Sequence, residues 1–241
     1  MTKLFHKLAR LTAMTEHKCM LCGADIFNNA TGFCDKCIVK VSFNNGHTCL
    51  RCGTRIADAQ SFCANCNFDT VYFDKAYAPF VYEGEFVKLI YQIKFGGHAG
   101  ILDVLANYVA FTVNKYQIEF DEVCYVPMTA QSQKERGYNQ AQLLAQAYCS
   151  LIDKTPLDIL VKKKQTQRQE TLGRAERKKN VDNAFAVVDK NLVKNKTILL
   201  IDDVKTTGAT LNNCAKALKR AGAARVVCVT LASTPEQFVY E

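Results

Sequence analysis

Eight cysteines, arranged as four C-x-x-C pairs between positions 19 and 66, constrain this chain more than any other feature. The pairs are Cys19/Cys22, Cys34/Cys37, Cys49/Cys52 and Cys63/Cys66. The segment also repeats itself. HKCMLCGADI at 17–26 aligns with HTCLRCGTRI at 47–56, thirty residues later, and GFCDKC at 32–37 aligns with SFCANC at 61–66. A period near 30 with matching Cys, Gly and Phe marks a duplicated mini-module. Gly23 and Gly53 each follow the second cysteine of a pair, where a tight turn lets backbone amides support thiolates. Sets of four soft sulfur ligands favour Zn²⁺ over hard-oxygen metals. The repeat divides them into Cys19, Cys22, Cys34 and Cys37 at one site and Cys49, Cys52, Cys63 and Cys66 at the other, with a crossed pairing still open. Closed Cys₄ sites leave no position for substrate, so the module reads as a folding or docking element. An iron–sulfur cluster and disulfides are the alternatives.

The other four cysteines, Cys124, Cys149, Cys214 and Cys228, sit in apolar stretches and read as small core residues. Hydrophobic residues make up 49% of the 241 and charged residues 22%, which excludes a disordered chain. The net charge of +8 leaves room for an anionic partner. No apolar run approaches the ~18 residues of a membrane span, so membrane insertion is not expected. The opening MTKLFHKLARLTAMTEHK is broken too often by Lys, His and Arg to hold a signal-peptide core, and a cytoplasmic location is expected.

From about residue 73 the texture changes. AYAPFVY (76–82) is strand-like, with a turn expected at Tyr82, Glu83 and Gly84. Phe86, Leu89, Ile90 and Ile93 then share one helical face. Helices are expected over 101–115, 138–152 and 209–221, and strands over 122–127, 197–202 and 225–232. Strands alternating with helices of this length predict an α/β domain, with a mostly parallel sheet covered by helices on both faces. The segment 162–180 (KKKQTQRQETLGRAERKKN) holds eight Lys/Arg against two acids and reads as a mobile or functional loop. The organisation expected is an N-terminal extension at 1–18, a duplicated ribbon at 19–70 and an α/β domain at 73–241 with a flexible basic loop at 162–180.

The most informative segment is ILLIDDVKTTGAT (198–210). An apolar strand ends in two adjacent acids, then enters a turn of small and hydroxylated residues that opens a helix. Unpaired amides at a helix N-terminus attract an anion, Gly208 permits close approach, and threonine hydroxyls add donors. The carboxyl end of a parallel strand is where such sheets place ligands. No Walker spacing is present. Two carboxylates beside a phosphate need something else to hold, such as vicinal hydroxyls or a metal, and a sugar phosphate supplies both.

The segment resembles the 5-phosphoribosyl 1-pyrophosphate (PRPP) signature of type I phosphoribosyltransferases. The resemblance implies that Asp202 and Asp203 hold the ribose hydroxyls, while Val204, Thr206, Thr207, Gly208, Ala209 and Thr210 form the turn around the 5′-phosphate. Further segments narrow the family: KFGG at 94–97, RGYNQ at 136–140, and the basic loop with Thr166, Gln169, Leu172, Arg177, Asn180, Ala184 and Phe185. With the cysteine module, they are similar to the ComF (ComFC/GntX-like) family from Cys19 onward. That likeness implies that Lys94 and the amides of Gly96 and Gly97 face the pyrophosphate, and that Asp202, Asp203 and Lys94 are the catalytic candidates. It makes Arg136, Arg168, Arg174 and Arg177 candidate anion contacts, with the loop closing over substrate. Departures are Lys205 inside the phosphate turn, Ser132 where an additional Arg is common, and Lys162 and Lys164 where Arg is usual.

The function implied is PRPP binding with Mg²⁺ by a phosphoribosyltransferase-like protein that handles incoming single-stranded DNA in natural transformation. Two structural zinc sites accompany it, and a helicase or other competence protein is a possible partner. Tyr72, Phe73 and Tyr82 are the aromatics expected to serve a strand-tracking surface. The alternative is a phosphoribosyltransferase acting on a nucleobase or other acceptor, without a DNA role.

Overall fold

Uninterrupted burial runs through the two longest strands and sets the architecture. In a computed structural model that describes residues 18–26, 31–57, 59–163 and 184–236, β6 (Thr197–Lys205) and β7 (Arg225–Ser233) lie side by side and parallel. Ile198 to Ile201 and Val226 to Ser233 are buried without a break. Successive side chains of a strand point to opposite faces, so such a run requires cover on both sides of the sheet. The sheet order is β1 (Lys75–Tyr77), β7, β6, β3 (Glu122–Tyr125), with β2 (Phe80–Val81) also paired to β7, and every pairing is parallel.

The helices supply the cover. α4 (Ile101–Lys115) and α6 (Gln140–Leu151) pack on each other and on the sheet, α6 against β3 and β6 and α4 against β7. α7 (Ala209–Arg220), the crossover between β6 and β7, contacts both strands and a two-stranded antiparallel hairpin, β4 (Leu160–Lys162) with β5 (Phe185–Val187). Cys124, Cys149, Cys214 and Cys228 are fully buried in this core, and burial pushes the Cys149 thiol up to about 11. They are inert packing residues.

Several expectations need correction in detail. The strand-like run 76–82 is split into β1 and β2 around Pro79, which cannot donate to a ladder. Gly84 does not end a turn: with φ +54 it opens α3 (Gly84–Phe95), which buries Phe86, Leu89, Ile90 and Ile93 as the spacing requires. β6 does not stop at the acids but runs through Asp202 and Asp203 to Lys205. The helix expected over 138–152 begins at Gln140, because the Asn139 side chain accepts from the amides of Ala141 and Gln142 and caps it. α5 (Ala130–Arg136) and the β4–β5 hairpin were not legible from periodicity. Most of the basic segment 162–180 lies outside the described residues, as do residues 1–17 of the expected extension.

The two cysteine repeats fold alike. Cys19 N donates to Ala24 O and Gly23 N to Cys19 O; thirty residues on, Cys49 N donates to Thr54 O and Gly53 N to Cys49 O. In each repeat the second pair begins a short helix, α1 (Asp35–Ile38) after Cys34 and α2 (Ala64–Phe68) after Cys63. The second ribbon is stitched to the edge of the sheet. Ala76 N donates to Arg51 O, Val81 N to Ser42 O, and the Asn44 amide to the carbonyls of Gly53 and Ala78.

That docking separates the two knuckle glycines. Both have positive φ, +72 at Gly23 and +66 at Gly53. A Cβ at Gly23 would meet nothing within 4 Å, whereas one at Gly53 would lie 2.6 Å from the Ala76 carbonyl oxygen. Gly23→Ala is therefore expected to cost only the left-handed backbone penalty, about 1–2 kcal/mol. Gly53→Ala should cost about 1–3 kcal/mol more, since backbone must move aside. Denaturant midpoints of the two variants check this, and equal losses would mean that the second knuckle is not held against β1.

Candidate functional site

The carboxyl ends of β6 and β3 meet the C-terminus of α3 and the N-termini of α5 and α6, and these ends enclose a cavity of about 220 Å³. Lys94, Arg136, Lys162, Asp202, Asp203 and Thr210 all reach its wall. An open parallel sheet places its ligands at this edge. Lys94 is more than a cation at a helix end: its Nζ lies 2.8 Å from Asp203 Oδ2. Burial, and then the neighbouring Asp203 charge, push the Asp202 carboxyl well above the carboxylate range, against the pull of Lys94. The carboxylate oxygens also accept locally, Asp202 Oδ1 from the Asp203 amide and Asp203 Oδ1 from the Val204 amide.

Thr129, which sequence reasoning passed over, and Gln140, quoted there only within RGYNQ, complete this wall. Thr129 Oγ1 accepts from the Ser132 amide at 3.1 Å and caps α5, bringing Ser132 and Arg136 to the cavity. The Tyr138 hydroxyl donates to Ile93 O, which ties the α5–α6 junction to the last turn of α3 beside Lys94. Gln140 is 2% exposed and lines the cavity, yet its Nε2 makes no hydrogen bond among the described residues. A buried amide donor left free at a cavity wall is poised for a polar ligand. The signal for it was the QA start of α6, read only as part of a family motif.

The remaining predicted residues are distributed differently. Gly96 caps α3 and Gly97 follows it with φ +72, but neither reaches the wall of the acidic cavity. Thr206, Thr207, Gly208 and Ala209 line a larger neighbouring cavity of about 770 Å³ between the second ribbon and α7. Thr210 alone of the 206–210 turn reaches the Asp202–Asp203 side. The turn itself is built as expected, with Gly208 at φ +81 and Thr207 Oγ1 accepting from the Ala209 amide at 3.3 Å. Lys205 lines the same larger cavity as the turn; it is 3% exposed and its ammonium points toward the ribbon. Arg168, Arg174, Arg177 and Lys164 lie outside the described residues. Of the aromatics expected at a strand-tracking surface, Phe73 is buried, and Tyr72 and Tyr82 are partly buried.

At the ribbons, Cys19, Cys22, Cys34 and Cys37 form one tetrad and Cys49, Cys52, Cys63 and Cys66 the other, with all sulfurs of a tetrad within 4.8 Å of one another. Crossed pairing does not occur. Tetrahedral coordination at a Zn–S length of ~2.3 Å places sulfurs about 3.8 Å apart. Cys22 and Cys34 are separated by 3.8 Å and Cys52 and Cys63 by 3.5 Å, so the donors fit zinc. Burial raises the Cys19 thiol, but hydrogen bonds from the backbone of Cys34, Cys22 and Leu21 outweigh it and bring the group to about 6. Side-chain hydrogen bonds from its three neighbours hold Cys49 far down. Each tetrad thus already contains a thiol disposed to be the thiolate a soft metal requires.

This combination is that of a double zinc ribbon joined to a phosphoribosyl transferase domain. The double zinc ribbon domain family matches residues 11–67 and the phosphoribosyl transferase domain family residues 136–238. Competence protein F of Haemophilus influenzae is 31% identical over 85% of this chain and 92% of its own length. Competence protein ComFC of Bacillus subtilis is 26% identical over 87% of this chain and 91% of its own. The DNA utilization protein YhgH of Escherichia coli K12 is 26% identical over 88% and 97%. The chain belongs to the ComF family. Among solved structures, the allosteric regulatory enzyme of purine biosynthesis aligns over 55% of this chain and 26% of its own at 19% identity and a TM-score of 0.40, a likeness too loose to carry weight.

Proposed function

We propose that this protein binds PRPP with Mg²⁺ at the Asp202–Asp203 cavity and handles incoming single-stranded DNA in natural transformation. The observation that carries the first part is the convergence of Asp202, Asp203, Lys94, Arg136 and Thr210 on one small cavity at the carboxyl edge of a parallel sheet. Paired carboxylates suit ribose hydroxyls and a hard cation alike. Asp202 and Asp203 would hold these, Arg136 and the Gln140 amide the anionic end, and the amides and hydroxyls of the 206–210 turn, which borders both this cavity and the larger one beside it, the 5′-phosphate. Lys94 is the group that moves charge. Its ion pair with Asp203 balances that carboxylate; with Asp203 holding the ribose or Mg²⁺, the ammonium would be free to meet the pyrophosphate. Substitution at the anomeric carbon needs such charge placement more than a strong base.

A ³¹P NMR time course of PRPP, Mg²⁺ and protein, with and without single-stranded DNA, tests the reading. Broadened PRPP lines support binding, and pyrophosphate released faster than in a protein-free control would add turnover. Unaltered lines would overturn the PRPP assignment.

The DNA part is supported by the relatives' names and by an exposed aromatic pair joined to the cavity wall through Arg136. Tyr91 and Phe95 of α3 are 65% and 58% exposed, their rings 4.8 Å apart, and the Arg136 guanidinium lies 5.2 Å over Phe95. This pairing of stackable faces with a cation suits an unpaired strand. Phe95→Ala is expected to weaken single-stranded DNA binding by about 5- to 150-fold, the worth of one stacked base (~1–3 kcal/mol), without changing its salt dependence. Arg136→Ala should instead lower the slope of log affinity against log salt by about 0.7. Fluorescence anisotropy at several ionic strengths measures both, and unchanged affinity in the two variants would remove this face from the DNA path.

A further inference from the structure

We infer that Lys205 is a positioning residue through which metal occupancy of the Cys49/Cys52/Cys63/Cys66 centre sets the conformation of the 206–210 turn. A lysine at 3% exposure needs an anionic or strongly polar partner. Among the described residues no carboxylate reaches it. Its ammonium donates to Thr54 Oγ1 and lies 3.8 Å from Cys52 Sγ, both on the second ribbon. Thr54 Oγ1 in turn lies 3.3 Å from Ser233 Oγ at the end of β7.

The other end of the same side chain underlies the turn. A Cβ at Gly208 would sit 3.8 and 3.9 Å from Lys205 Cδ and Cγ, so the aliphatic stem forms the floor beneath the residue that opens α7. One side chain therefore touches the thiolate cluster with its head and the phosphate-turn backbone with its stem.

The seat of the ammonium is conditional on metal, because Cys52 is one of the four ligands and Thr54 follows it by two residues. Four thiolates around Zn²⁺ carry a net charge of −2, and an ammonium against one sulfur offsets part of it in a dry environment. Without the metal, nothing ties Cys49, Cys52, Cys63 and Cys66 to one point, so the Cys52–Thr54 seat of the ammonium is no longer fixed. A lysine head that moves with that seat draws its stem from under Gly208. Among the described residues the first ribbon contains no such link, and it serves as an internal control. The position aligned with Thr54 is Ala24, and the one aligned with Cys52 is the exposed Cys22.

The experiment uses the full-length, zinc-loaded, ¹⁵N-labelled protein titrated with a chelator. The Cys19 and Cys22 amides report the first centre, those of Cys49 and Cys52 the second, and those of Thr206 to Thr210 the turn. In the wild type the turn amides are expected to shift in step with the second centre and to ignore the first. In Lys205→Met, zinc leaves the second centre about 10- to 100-fold more readily, the usual effect of losing a hydrogen-bonding neighbour of a metal ligand, while the first centre is unaffected. Lys205→Arg, which keeps the charge, restores slow release. Turn amides that stay in place when the second centre empties in the wild type would overturn the inference, and so would unchanged release from Lys205→Met. Neither readout requires PRPP, so the inference can fail or stand independently of the ligand assignment. Its consequence, weaker phosphate binding after zinc loss, rests on that assignment.

Discussion

A chain carrying Asp202→Asn and Asp203→Asn together is expected to lose affinity for PRPP by about 10²- to 10⁴-fold, from two charge-assisted hydrogen-bond sets worth ~1.5–3 kcal/mol each. Both Cys₄ centres and the fold should survive, because the acids lie at the end of β6 beyond its apolar run. The single variants should separate in stability. The folded-state pKa of Asp202 is raised, so its contribution to stability is fully present below the ordinary carboxylate range and is lost as pH rises through the raised value. Removing that charge by Asp202→Asn should therefore raise the melting temperature at neutral pH even as PRPP binding falls. Asp203→Asn should not, since it strips Lys94 of its partner at 2.8 Å. Isothermal titration with PRPP and Mg²⁺, beside thermal melts, reads both effects. Normal PRPP affinity in the double variant would mean that the ligand binds elsewhere.

Stripping both metal centres is expected to have a still larger structural effect. Structural zinc sites contribute apparent binding free energies of ~10–16 kcal/mol, comparable to the whole stability of a domain, and here six of the eight ligand cysteines are buried within the ribbon's core. The ribbon should unfold while the sheet domain persists. Hydrogen exchange locates the damage. The amides of Ala76 and Val81, which donate to Arg51 O and Ser42 O, should lose protection on chelation, whereas those of Ile198 to Ile201 in the sheet interior should keep theirs. Retained protection at Ala76 would show that β1 holds the ribbon in place rather than the metal.

Much of this architecture could be read from local pattern. The thirty-residue repeat identified both tetrads, and the four-residue apolar run before Asp202 located the sheet edge that carries the site. Phe86, Leu89, Ile90 and Ile93 defined the buried face of α3, and the same spacing placed Tyr91 and Phe95 off that face, a signal that was available but not used. What escaped was non-local. The β4–β5 hairpin joins residues on either side of the basic segment, so no short window contains it. Lys205 sits in a phosphate-turn sequence, yet β6 continues through it and delivers its side chain to a ribbon some 150 residues earlier. Phe73 reads as a surface aromatic because nothing in its sequence neighbours reveals the core that buries it to 4% exposure.

The position of β7 has a consequence for how this protein is made. The last strand among the described residues lies between β1 and β6, so the first strand of the sheet has no parallel partner until residues 225–233 have left the ribosome. Until then a nascent chain presents open backbone edges on β6 and β1, which are templates for misassembly. The metal-bound ribbon emerges first and already engages β1 and β2 through Arg51 and Ser42. It can cover the outer edge of β1 and β2, the one that β7 does not use, through most of synthesis and leave only the inner edges open, so zinc supply during translation should govern how much of the chain reaches its native state.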